Sequence, residues 1–408
     1  MLFRSVGALV LEDNRLQALA LSIAQAAGPT AMPSFVRLIE QLEDRGSLDR
    51  HTEGLAESEV YGRRVGEGAG LTRPELAVVL SSAKLVLQEA IEDSALASDP
   101  GLADELLAAF PLPMRKRFRA DILGHRLAKE IIATKLANRM VNRLGVIHPF
   151  ELVEEEGASL ADICAAFVAA ERLFNARALW AELESAKMPE GARIYLFRHA
   201  AGALRSHIAD LVRAGAGTTA PSVLIASFNK RVQQLSAGTG ELLTAASRDQ
   251  SNRLIEEFVA MGAPERLAAK VAHLYDLDGS IGLASLSKDA VIDARALTAA
   301  FTDLGQRLGL DWAQSTAAML NPSDVWERLL VAGLSRDFQQ MRLEFLRRLS
   351  RRKGAKEDPS AAVANWSDEH AAAISQFRSV IGRAQTAASV APAMLAQIAS
   401  QARNLLGR

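Results

Sequence analysis

The sequence predicts an all-α fold, a multi-helix array without a Rossmann sheet, and three observations predict it. Alanine (73) and leucine (56) make up 129 of the 408 residues, and these two types lose little entropy on entering a helix. Aromatic residues reach only 5%, and alternating runs of β-branched residues, the mark of half-buried strands, are hard to find. Apolar residues recur instead at i, i+3, i+4 and i+7, the spacing of one helical face. The length suits two or three domains.

The elements follow in chain order. Leu16, Leu19, Ala20 and Ile23 share one helical face, and Gly28 and Pro29 end that helix. The uncharged stretch 16–36 is interrupted by Gln17, Ser22, Gln25, Gly28, Pro29, Pro33 and Ser34, so it reads as no membrane span. An apolar run after Arg4 meets Glu12 and Asp13 too early to form a signal-peptide core. A short helix over 35–42 precedes residues 44–70, whose acids and glycines read as a long solvated connection. Thr72, Pro74 and Glu75 form a capping box that opens a helix with Leu76, Val79, Leu80, Ala83, Leu87 and Ile91 inward.

Residues 113–143 carry nine Lys and Arg against two acids, a basic stripe in an otherwise neutral protein. In its second half Ala133, Leu136, Ala137, Met140 and Leu144 share one arc. Lys135, Asn138, Arg139 and Asn142 project from the other, and Gly145 offers the stop. Further helices begin near Ser159 (with Asp162 three positions on), Ala192, Pro221 and Ser251, with Gly215, Gly217 and Gly238–Gly240 as turns between them. Ser287 is read as the cap of a helix through Leu308. The string Asn321, Pro322, Ser323, Asp324 is a start signal for a helix burying Leu334, Phe338, Met341, Phe345 and Leu349. That helix ends in Arg347, Arg348, Arg351, Arg352 and Lys353, which suit a C-terminal dipole. Residues 354–360 read as a linker before an alanine-rich helical tail from Ser367.

Charge and cysteine content narrow the function. With 47 Lys and Arg against 48 Asp and Glu, the chain has a formal charge of −1 and no general attraction for nucleic acid or anionic membranes. The one cysteine, Cys164, excludes an internal disulfide framework and a Cys-based zinc ribbon, and a reduced, cytoplasmic location is expected. Cys164 sits among Ile163, Phe167 and Val168 and reads as a small buried hydrophobe. Residues 215–220 imitate the dinucleotide fingerprint, but a helix precedes them where a strand is required. Asp276 and Asp278 open like a calcium loop, yet its twelfth position is Ser287 rather than a bidentate glutamate. The seven histidines include no i, i+4 pair, and His199 and His207 read as lone surface or half-buried side chains. The basic stripe has two readings. Its charges pair with acids such as Glu151, Glu154, Glu155, Glu156 and those of 44–59, or they hold a polyanion. Pairing is preferred, because Phe118 is the only ring available for stacking.

Three stretches taken together carry a resemblance. Residues 11–22 (LEDNRLQALALS), 71–80 (LTRPELAVVL) and 130–143 (EIIATKLANRMVNR) resemble the C-terminal region of the large bacterial NAD-specific glutamate dehydrogenases. The resemblance implies a parent enzyme that converts L-glutamate, NAD and water to 2-oxoglutarate, ammonia and NADH, in a long subunit that forms homo-oligomers. In that family the catalytic residues and the Rossmann fingerprint lie upstream of the Asp-Asn-x-x-Gln motif seen here at Asp13, Asn14 and Gln17. The chain is therefore expected to start inside a longer reading frame, to bind no cofactor itself and to be inactive alone. Its partners are then the catalytic core of the same enzyme and other subunits, with no membrane. Residues 1–150 are expected to adjoin that core, 151–354 to form a bundle, and 366–408 to pack on the rest. Asp13, Asn14, Gln17, Arg73, Asn138, Arg139, Asn142 and Arg143 are the expected interdomain or intersubunit contacts. Charge reversal at Arg139 is expected to disturb assembly while leaving this fold intact.

Overall fold

Helices form where the sequence supplies a start, an apolar stripe and a stop, and the computed structural model has 22 of them with no strand among the described residues. It describes the backbone of residues 2–320 and 325–407, and the side chains from Asn14 onward apart from positions 241, 246, 318 and 325. The start signal at 321–324 and the side chain of Asp13 lie outside the described residues. The chain divides into two compact units, one of residues 1–227 and 253–275, the other of 228–252 and 276–408.

The first unit begins with α1 (Leu2–Ala26), α2 (Met32–Asp44), α3 (Ser58–Gly66) and α4 (Arg73–Glu92). The capping box at Thr72 is present: its hydroxyl accepts the Glu75 amide, and the Glu75 carboxylate accepts the Thr72 amide at 2.7 Å. All six expected apolar residues of α4 are buried. The solvated connection expected over 44–70 is corrected by α3, which buries Tyr61 completely. The Tyr61 hydroxyl accepts the Ala56 amide at 3.0 Å, while Arg64 donates to Glu75 at 2.9 Å. One turn of apolar residues in a charged stretch is too short to show as a stripe, so only the tertiary partners reveal it.

Residues 113–143 form no single helix. After α5 (Ala103–Ala108) come α6 (Leu112–Arg117), α7 (Arg119–Leu123) and α8 (Ala128–Leu144). Gly145 ends α8 at φ 91°, in the region that favours glycine. Then follow α9 (His148–Glu156), α10 (Leu160–Leu173), α11 (Ala176–Ser185) and α12 (Glu190–Arg213). Ser159 and Asp162 cap α10 reciprocally. Every residue of α10 from Ile163 to Glu171 is buried, the pattern of a central helix covered all round, and α10 packs on α4, α9, α11 and α12.

The chain continues through α13 (Pro221–Leu242), α14 (Ala245–Ala260) and α15 (Glu265–Asp276). Gly238 and Gly240 lie inside α13 rather than between helices. At Gly238 a Cβ would stand 2.6 Å from the Arg295 guanidinium, so this glycine admits a close approach and marks no turn.

The second unit contains α16 (Ser280–Ala290), α17 (Ala294–Leu308), α18 (Leu310–Met319), α19 (Val325–Leu349), α20 (Pro359–Glu369), α21 (Ala371–Gln385) and α22 (Pro392–Leu406). Ser287 caps nothing here; it lies within α16 and donates to the Ile292 carbonyl at 2.6 Å, while Asp293 caps α17 through the amides of Arg295 and Ala296. Leu334, Phe338, Met341, Phe345 and Leu349 are buried as expected, against Trp366, Phe377, Leu395 and Ile398 of the tail. The tail starts earlier than expected, at Pro359, because Asp358 caps it by accepting the Ala361 amide at 2.9 Å. Arg342 is buried in this core, donating to Asp311 at 2.6 Å and to the Phe338 carbonyl at 3.1 Å, with its charge 4.0 Å from the Phe301 ring centre.

Candidate functional site

The expected contact residues converge on α8 and the helices around it. Arg139 points from α8 into a four-membered charge cluster. Its Nε donates to Glu171 of α10 at 2.8 Å, and its two terminal nitrogens grip Glu105 of α5, which also pairs with Arg177 of α11. Arg177 lies 3.5 Å from Glu171 as well, so two arginines share two carboxylates drawn from four helices. Burial pushes the Glu105 carboxyl up, but Arg139 and Arg177 outweigh it and hold the group below the ordinary carboxylate range. Arg139 shifts in the matching direction: burial disfavours its charge, and Glu171 and Glu105 more than restore it. The guanidinium also lies 5.9 Å from the Phe167 ring centre.

One turn on, Arg143 pairs with Glu184 of α11, and its guanidinium lies 5.9 Å from the Trp180 ring centre. Glu184 also accepts from Arg15 of α1 at 2.8 Å, so one carboxylate ties α1, α8 and α11 together. Arg73 reaches back to α1, donating to the Ala18 carbonyl at 3.2 Å and to Ser22 at 3.3 Å. Asn142 is buried rather than on a polar outer face, and its Oδ1 has no hydrogen-bond partner among the described residues. Asn138 and Gln17 are half-buried and Asn14 is exposed.

The charge partners expected for the basic stripe are corrected at Arg139 and Arg143, whose acids are Glu105, Glu171 and Glu184. Glu154 accepts from Arg37 and Gln41 of α2, while Glu155 and Glu156 pair with Arg205 and Arg213 of α12. These cross-helix pairs join residues 32 to 117 positions apart, a relation that sequence spacing cannot carry.

The first half of the stripe is different. Arg115 donates to the carbonyls of Phe110 and Ala108, closing the end of α5. Lys116, Arg117, Arg119, Arg126 and Lys129 are exposed and have no acidic partner among the described residues. Leu112, at 73% exposure, stands among them with Phe118, Leu123 and Leu127, so α6, α7 and the start of α8 present a mixed apolar and cationic surface.

The catalytic look-alikes resolve into structure. Residues 215–220 are a turn between α12 and α13, with Gly215 at φ 102°. Cys164 is buried with its Sγ 3.2 Å from Met140 Sδ, and burial pushes its thiol up to about 12, far from a reactive thiolate. His207 is fully buried, not half-exposed: it stacks on Phe174 at 3.8 Å and its Nε2 donates to the Leu274 carbonyl at 2.9 Å. No group of three His, Cys, Asp or Glu among the described residues is placed to hold a metal ion, and no helix among them is long and apolar enough to cross a membrane.

Residues 68–404 match the family described as glutamate dehydrogenase, C-terminal. The chain belongs to this family. NAD-specific glutamate dehydrogenases of Halomonas elongata and Pseudomonas aeruginosa are each 29% identical to it, over 90% and 96% of this chain. That of Mycobacterium tuberculosis is 26% identical over 79%. The matches cover 23%, 24% and 20% of those proteins, so the chain spans about a quarter of the length of the relatives it matches. The family match contains both the capped start of α4 and the whole of α8, the two later stretches that carried the resemblance.

Proposed function

We propose that this chain is a noncatalytic helical module of a large NAD-specific glutamate dehydrogenase, and that it supports the assembly or regulation of that enzyme in the cytoplasm. The observation that carries this reading is the family match over 68–404 combined with relatives four times as long. An all-helical fold supports it, since a Rossmann-type dinucleotide crevice is built on a parallel sheet. In this reading the parent enzyme uses NAD to convert L-glutamate and water to 2-oxoglutarate and ammonia, and the chemistry belongs to the rest of the subunit. Its partners are that catalytic body and the other subunits of a homo-oligomer.

The contact residues then take different parts. Asn14 and Gln17 on α1, and Asn138 on α8, meet the neighbouring protein directly. Arg73, Arg139, Asn142 and Arg143 act at one remove, by holding α1 and α8 as a rigid platform against α4, α10 and α11. Residues 1–150, 151–354 and 366–408 serve as the core-facing region, the bundle and the packed tail. Co-expression of the tagged chain with the part of the Pseudomonas aeruginosa relative outside the match tests this: the two should co-purify, and separate elution would count against docking.

A second reading has one observation in its favour, the five exposed cations of 116–129 without acidic partners among the described residues. They suit a nucleic acid or another polyanion, as in a free-standing binding protein. Such binding would weaken steeply with added salt. The absence of any mobility shift with single-stranded RNA or duplex DNA at low salt would remove this reading.

A further inference from the structure

We propose that the concavity where the C-terminal ends of α19 and α22 meet binds a compact phosphate-bearing anion. It is an open hollow of about 390 Å³ lined by four arginines: Arg347 and Arg348 from the last turn of α19, Arg351 just after it, and Arg403 from α22. Volumes of roughly 300–1,000 Å³ are usual for small-molecule sites. Glu344 and Arg348 lie four residues apart on α19 and so share one side of it, and Arg351 follows in the turn after Leu349. Arg403 and Leu406, three apart on α22, complete the wall. The buried side chains of Met341 and Leu406 form an apolar floor, and Glu344 is the one carboxylate of the lining.

The simplest alternative is that these arginines only neutralise helix ends, and the contacts separate the two readings. Arg348 does serve that purpose, donating to the carbonyl of Leu406 at the end of α22. Arg403 is held by Asp337 at 2.8 Å, and Arg347 stands 4.0 Å from the exposed Asp289, a weak surface pair. The Arg351 side chain has no partner among the described residues and follows the last residue of α19, Leu349. Glu344 in the lining, Asp337 and Asp289 offset three of the four positive charges, and a bound anion would offset what remains around the four guanidinium groups. Their planar forks match the oxygens of a phosphate two at a time. The site therefore recognises a diphosphate group, either free or carried on an organic body that covers Met341 and Leu406.

Titration calorimetry on the 408-residue chain at low ionic strength tests this with sodium pyrophosphate and, separately, adenosine diphosphate. Saturable one-site binding is expected. Arg351→Glu should weaken it about tenfold or more, the scale of one lost charge-assisted contact. Lys187→Glu, an equal charge change at an exposed position in the other unit, should leave affinity within about twofold. Tighter binding of adenosine diphosphate would assign the organic carrier, and equal affinities the free anion; either supports the site. No saturable binding of either probe, or equal weakening by the two substitutions, would overturn it.

Discussion

Arg139 shows how one side chain changes meaning between sequence and structure. On a helical projection it belongs to the polar arc of α8; in the fold it is clamped between Glu105 and Glu171. Arg139→Glu would set three carboxylates together in a largely buried site, and breaking a buried ion pair costs about 3–5 kcal/mol. The substitution should therefore lower the denaturation midpoint of the isolated chain. Asn14→Ala, at an exposed position, should change stability by less than about 0.5 kcal/mol, and chemical denaturation of the two variants checks both values.

Several buried groups set the response to acid: burial lowers His199 and His273 as well as His207, while Asp276, pushed up to about 6 by burial, acts in the opposite direction. Burial pulls the His207 imidazole down to about 4, with the Leu274 carbonyl opposing only in part. Between its unfolded value near 6.5 and about 4 the unfolded chain binds a proton that the folded chain refuses, so stability is lost as pH falls through that window. Glu105, whose pKa is held low chiefly by Arg139 against the effect of burial, adds a further loss below the ordinary carboxylate value of about 4.3. Urea midpoints measured from pH 8 to 4 should carry a His207-dependent loss that begins near pH 6.5 and is offset in part by Asp276. His207→Gln should flatten that part of the curve and keep the drop at lower pH; an unchanged profile in the variant would exclude His207 as its source.

At the scale of elements, what was legible is what is local. The capping boxes at Thr72 and Ser159 and the apolar stripes of α4, α8 and α19 follow from spacings of three and four residues, and the structure contains them. Where a neighbour decides, the reading failed. Tyr61 of α3 is buried with its hydroxyl against Glu75 of α4, and Gly238 looks like a turn until Arg295 is seen against it. The charge cluster of α5, α8, α10 and α11 was hidden for the same reason, since its members come together only when four helices pack.

Gly282 gives this distinction a test. It lies inside α16, where alanine has the better helix propensity by about 1 kcal/mol. A Cβ there would stand 2.5 Å from Cδ1 of the buried Leu343 on α19, so the glycine sets how closely the two helices pack. Gly282→Ala should destabilise the chain by roughly 1–3 kcal/mol, the usual cost of overpacking. A rise in melting temperature would mean that propensity outweighs the contact.

At the scale of the whole molecule, composition alone indicated the all-helical class, because no shortage of helix formers had to be overcome by tertiary packing. The division into two units was less visible: the chain passes between them three times, within α13, within α14 and at the end of α15, without a proline-rich or glycine-rich linker to mark the place. Family membership rested on wording rather than on periodicity, in the strings at 71–80 and 130–143 that lie inside the matched region. Those strings encode the capped start of α4 and the α8 platform, the parts of the first unit that hold α1 in place through Arg73 and through the Glu184 link to Arg15 and Arg143.

On the proposed reading these helices serve a dehydrogenase whose chemistry lies in other parts of the subunit. Glutamate-dependent NADH formation tests it most directly, measured for the purified 408-residue chain and for the Pseudomonas aeruginosa relative with and without its matched quarter. No NADH is expected from the isolated chain, and a clear loss of turnover when the quarter is removed from the relative. NADH production by the chain alone, or full turnover by the shortened relative, would contradict it.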